Sequence, residues 1–155
     1  MELLFSLGLL ALLAGLAAPD LRASLRAAAV RSATFELAVG LQQIRAESIL
    51  ESRPASLCPT DSSGNCLAAG AEGAGWRAFL EDGAIRRDLG GRSLPPGVRL
   101  RATRSPVRFW PSSFAASAGT LTICDAQGLA APRALVISAT GRARQDMGTA
   151  EGCSS

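Results

Sequence analysis

The sequence predicts an α+β fold, one long N-terminal helix laid on a small antiparallel β-sheet head, and three observations carry that prediction. Residues 3–18 form an uncharged apolar run that leads straight into a second helix-patterned stretch. From Leu21 to Ile49, apolar residues recur at steps of three or four, the spacing of one helix face. After Pro54 the pattern changes to short apolar runs separated by Gly, Pro, Ser and Asp clusters, which reads as antiparallel strands. A chain of 155 residues, less about 20 in the apolar leader, has room for one folded head. The expected division is 1–20 as the apolar helix segment, 21–53 as the amphipathic half of the same helix, and 54–155 as the β head with its C-terminal tail.

The leader is entered through one acid, Glu2. A carboxylate at the mouth of a membrane segment is costly and usually functional. Sixteen residues rise ~24 Å as a helix, short of a bilayer core of ~30 Å, so the chain is expected to begin inside a longer apolar segment. A secretory signal cleaved near Ala17 or Ala18 is the rival reading, and the absence of a basic n-region argues against it. The first basic residues, Arg22, Arg26 and Arg31, follow the run, which by the positive-inside rule alone would face the cytoplasm. The cysteines point to the opposite side. Pro19 is expected either to kink the helix or to precede a new start capped by Asp20, with the axis continuing in both cases, and Pro54 is its stop.

Strands are expected at 55–58, 76–80, 98–102, 107–110, 120–124 and 133–138, with 111–119 as a flexible loop. The run from Val98 to Arg101 alternates apolar with arginine, so one face packs and the other presents Arg99 and Arg101. Arg108 alternates in the same way and is assigned to that outer face.

Four cysteines without any C-x-x-C spacing, and no histidine, make a metal site improbable, and no metal or cofactor is expected. An even count behind an export-type segment suggests two disulfides formed outside the cytoplasm. Of the three possible connectivities we prefer Cys58 with Cys66 and Cys124 with Cys153, a short loop and a pinned C-terminus. No enzyme is expected: with neither histidine nor lysine, and no nucleophile elbow or phosphate loop, the usual catalytic groups are missing.

All sixteen basic residues are arginine, and they are unevenly spread. Residues 33–85 hold three arginines against seven acids, whereas 86–144 hold ten arginines against Asp88 and Asp125. The second block, at a net +8, reads as a footprint for a polyanion.

Beyond these patterns the chain resembles the type IV pilin superfamily. Met1, Glu2, Leu3 and Leu4 are similar to the interior of the pilin leader motif, and its cleavage and methylation site is expected upstream of Met1. The head resembles the GspH/FimT group of minor pilins and pseudopilins through residues 45–48, Leu57, Cys58 and Pro59, Gly75 and Trp76, residues 109–111, 119–125 and 136–144. That resemblance implies a pilin fold, a single-pass protein of a bacterial inner membrane with its head in the periplasm, extracellular once in a filament. Its partners would be other pilin subunits, with Glu2 neutralising a neighbour's N-terminal amine. In the FimT branch, which this chain resembles most, a late Gly-Arg-x-Arg stretch is associated with binding DNA for uptake, and Gly141, Arg142 and Arg144 match it. A structural pseudopilin of a type II secretion system, without a DNA role, is the alternative.

Arg142 and Arg144 lie two residues apart, so on a strand they share a face at about 7 Å, near the spacing of successive phosphates. Gly141 lets the backbone turn into that strand. Charge that blunts an edge strand against aggregation accounts for the same pattern. Arg99, Arg101, Arg104 and Arg108 are weaker candidates, since alternating arginines on an exposed face are often merely solvated, and with Arg133 they complete the candidate surface for non-sequence-specific contact with double-stranded DNA. Trp76, Phe79, Phe109, Trp110 and Phe114 could stack on unpaired bases, although core packing accounts for most of them.

Overall fold

The computed structural model describes the backbone of residues 2–83, 85–111, 115–148 and 153, with side chains from Asp20 onward in those ranges and at Ser6 and Gly8. The Glu2 side chain and Phe114, both singled out above, lie outside the described residues.

Helix α1 runs Glu2–Leu50 and passes through Pro19 without a break. At 1.5 Å per residue it is ~74 Å long. Among the described residues, no helix is long and apolar enough to cross a membrane. The helix stops before Pro54. Ser52 adopts φ 52°, and the amides of Ser52 and Arg53 donate back to the carbonyls of Ile49 (3.2 Å) and Ser48 (3.1 Å). This is a Schellman cap with serine at the left-handed position usually taken by glycine. The buried Ser48 hydroxyl donates to the Arg53 carbonyl at 2.7 Å and fixes the turn into the head.

The head consists of two five-stranded antiparallel sheets instead of the single small one expected. Its strands are β1 (Ala55–Thr60), β2 (Glu72–Gly73), β3 (Gly75–Asp82), β4 (Ile85–Ser93), β5 (Val98–Ala102), β6 (Val107–Trp110), β7 (Ala115–Ala116), β8 (Gly119–Asp125), β9 (Arg133–Ile137) and β10 (Ala143–Met147). The first sheet has the order β4-β3-β1-β6-β7 and the second β10-β9-β8-β5-β2. Part of the expected loop 111–119 is thus strand, since Ala115 and Ala116 pair with Trp110 and Phe109.

Both sheets and the helix share one core. Val30, Ala33, Leu37, Leu41 and Ile44 from α1 meet Leu57 and Leu80 from the first sheet and Leu100, Leu121 and Ile137 from the second. Each of these apolar side chains contributes about 1.5–3 kcal/mol when fully buried. Disulfides join Cys58 to Cys66 and Cys124 to Cys153.

Candidate nucleic-acid interface

The Gly-Arg-x-Arg stretch forms the tip of the β9–β10 hairpin. Ser138 and Arg142 close a three-residue loop: the Ser138 amide donates to the Arg142 carbonyl at 3.0 Å, and the Gly141 amide donates to the Ser138 carbonyl at 2.9 Å. Gly141 takes φ 73°, the left-handed residue that such a loop requires. A Cβ there would lie 3.5 Å from Ala116 and Phe109, an ordinary contact, so glycine is required by the backbone angle and not by space. From the helix, Arg45 Nη1 donates to the Gly141 carbonyl at 3.4 Å.

Strand register then decides which arginines share a face. Ala143 sits opposite the buried Ile137 and Arg144 opposite Val136, so Arg144 points away from the core. Arg142, at the same parity just before the strand, is exposed, as is Arg144. In β5, Val98, Leu100 and Ala102 are buried, leaving Arg99 and Arg101 half-buried on the outer face of the same sheet. β10 and β5 are three strand spacings apart, about 14 Å, so the two arginine pairs flank a sheet face of that width. Thr120 and Thr122 of β8 belong to the same face, opposite Val136 and Ala134, but Thr122, Ala134 and Cys124, the register partner of Arg99, are buried, and Cys124 is bridged to Cys153 on this side, so the strip between the two arginine pairs is covered.

Two predicted members lie elsewhere. Arg108 is in β6 of the other sheet, where it meets Glu81 through Nη2 at 2.8 Å and Nε at 3.1 Å, beside Ser56, whose hydroxyl donates to the same oxygen at 2.7 Å. The alternation that placed it with Arg99 and Arg101 reads the face correctly but not the sheet. Arg133, opposite Ile123, has the parity of the core side and lies exposed at the start of β9.

The basic block also divides in space. On and around the first sheet, arginines find carboxylates: Arg53 with Asp82 (2.8 Å), Arg77 with Asp88 (3.1 Å through Nε), Arg87 with Glu51 (3.0 Å) and Arg92 with Glu36 (3.3 Å). Arg86 instead covers the Phe79 ring at 4.6 Å. The hydrogen bond from Arg77 and the Gly90 amide hold the Asp88 carboxyl below its ordinary value. Among the described residues, the ion pairs do not include Arg99, Arg104, Arg133 or Arg142, and Arg144 meets Asp146 at 3.6 Å. Glu72, the register partner of Arg101, is the other acid on this face. Arginines around the first sheet are therefore mostly matched to acids, whereas the second sheet carries more guanidinium groups than carboxylates, with Asp146 and Glu72 as its described acids.

Of the aromatic candidates, Phe79 and Phe109 are buried, and Trp76 packs so closely on α1 that a Cβ at Gly40 would come within 2.6 Å of its ring. Trp110 is 37% exposed, with the Arg108 guanidinium 6.0 Å from its ring.

Comparison with known proteins agrees with this architecture. The sequence profile of the family described as "Type II transport protein GspH" matches residues 33–141. The crystal structure of the type IV minor pilin FimU from Pseudomonas aeruginosa, in space group P65, superposes with a TM-score of 0.57 at 21% identity, covering 75% of this chain and 91% of that one. The P21 form gives 0.55 at 20% identity, covering 79% and 90%. No curated protein sequence matches. A pilin fold, with its helix and core shared between two antiparallel sheets, together with a profile match over most of the chain, makes this protein a member of the GspH family.

Proposed function

We propose that this chain is a minor pilin or pseudopilin of the FimT kind, anchored in a bacterial inner membrane with its head in the periplasm, that joins a type IV pilus-type filament and binds extracellular double-stranded DNA. Arg142 and Arg144 at the β9–β10 tip make the principal phosphate contacts, and Arg99 and Arg101, half-buried on the same sheet, are secondary. Glu2 neutralises the N-terminal amine of an adjoining subunit during assembly, so Glu2→Ala abolishes incorporation into filaments. The carrying observation is the contrast between sheets: most arginines on and around the first are matched to acids at 2.8–3.3 Å, while at the tip of the second Arg142 is exposed and Arg144, also exposed, meets Asp146 only at 3.6 Å.

Contacts of this kind are electrostatic and independent of sequence. In a gel shift with the full chain in detergent, binding weakens as salt rises, and Arg142→Ala/Arg144→Ala lowers the slope of log K against log salt by about 2. Absence of a shift at low salt overturns the DNA role. It would favour the second reading, a purely structural pseudopilin of a type II secretion system, which the description of the matching family supports.

A further inference from the structure

Helix α1 carries two apolar faces, and the head covers one of them. Val30, Leu37, Leu41 and Ile44 are buried against the sheets. On the opposite side, every position reached from Leu21 by alternating steps of four and three, ending at Ile49, is exposed. Five of these positions are large apolar side chains: Leu21 (60% exposed), Leu25 (62%), Phe35 (64%), Val39 (49%) and Ile49 (42%). Small residues, Ala28 and Ser32, lie midway. A 3.5-residue repeat is the seam of a left-handed coiled coil.

The charges beside this seam select an occupant. In a parallel coiled coil, the residue just before one seam position faces the residue five places later in the other helix. Arg31 precedes Ser32 and Glu36 follows Phe35, so in a register-matched pair of identical helices Arg31 faces Glu36 of the second copy, twice by symmetry. A slip of one heptad either way puts Arg31 opposite Ala29 or Gln43 and loses both pairs. The other flanking charges meet neutral residues, Arg22 with Ala17 and Arg45 with Leu50, so no like charges collide. The Glu36 side chain is 40% exposed and, among the described residues, is held at Oε2 by Arg92 at 3.3 Å, which leaves it accessible to a second guanidinium. The apolar leader continues the same helix, so two copies in one membrane meet in parallel.

We propose that α1 pairs with α1 of a second copy of this chain, parallel and in register, with the heads on opposite sides of the seam. The pairing rests on the membrane anchoring proposed above and is independent of DNA binding.

Cross-linking of the full chain in lipid vesicles tests it. The four native cysteines are all disulfide-bonded, so an introduced cysteine is the reactive thiol. Phe35→Cys and Val39→Cys should each yield a disulfide-linked dimer on mild oxidation, and Ser63→Cys, on the head, should not. In the Phe35→Cys background, Arg31→Glu or Glu36→Arg alone lowers the dimer yield about fivefold, the effect of two exposed ion pairs, and the two together restore it. A monomer at both seam positions, cross-links only to other proteins, equal yield from Ser63→Cys, or no rescue by the double exchange overturns the pairing. Failure of the chain to float with vesicles overturns the anchoring and the pairing with it, whereas loss of the DNA shift alone leaves both intact.

Discussion

Arg45, one turn from the end of α1, donates to the carbonyl of Gly141, 96 residues later in the chain, and so ties the helix to the hairpin tip that carries Arg142 and Arg144. Arg45→Ala removes a single partly buried hydrogen bond and should cost about 1 kcal/mol. Denaturant midpoints measure the loss, and faster amide exchange at Gly141 and Arg142 locates it.

Gly141→Ala separates conformation from charge. Forcing a Cβ into φ 73° costs about 1–2 kcal/mol, while both arginines remain. Gly141→Asn, whose side chain tolerates that region, should recover part of the loss in thermal melts.

Arg108→Ala should affect stability and leave DNA retention unchanged. It breaks the 2.8 Å contact to Glu81, whose side chain is only 19% exposed, while Ser56 remains bonded. With Arg108 itself 40% exposed, solvent screening keeps the expected cost near 1 kcal/mol. A fall in DNA retention matching that of Arg142→Ala/Arg144→Ala would contradict the division between the two sheets.

The Asp88 carboxyl is held below its ordinary value, first by the hydrogen bond from Arg77 and then by the Gly90 amide. A carboxylate depressed in the folded state stabilises at pH above its unfolded value of about 3.9, and that stabilisation is lost as pH falls through the lower folded value. The stability difference between wild type and Asp88→Asn, followed by melting from neutral pH into acid, should shrink below about pH 4. A difference that is flat across this window would refute the linkage.

The Cys124–Cys153 bridge closes a separation of 29 residues. Replacing both by serine should cost roughly 3.5 kcal/mol in the chain-entropy model, more than the loss of Cys58–Cys66, with a separation of 8. Denaturation of the two double-serine variants compares them directly.

Strands that bury one face were legible because their alternation survives in the sequence: β5 and β6 were placed at their observed bounds. β4 is not legible, for the converse reason. As an edge strand, it leaves Ile85, Arg86, Arg87 and Asp88 all exposed and has no period to read. β2 and β7, at two residues each, exist only through their partners. Nor does alternation say which sheet a strand joins, so it does not separate Arg108 from Arg99. The basic block misled in the same way: the acids that neutralise it lie far off in sequence, Glu81 27 residues from Arg108 and Glu51 36 from Arg87. The turn at Gly141 into an extended segment is legible because a hairpin tip is local.

The single core shared by α1 and both sheets has a mechanical consequence. Tension applied along the stalk enters the head as shear across Leu37, Leu41 and Ile44, all loaded together, and reaches the strands at Ser48 and the Schellman turn. Contacts sheared in parallel resist force better than contacts peeled one at a time, so a ligand held at the hairpin tip would pull against the whole packed layer, with Arg45 linking that tip to the stalk.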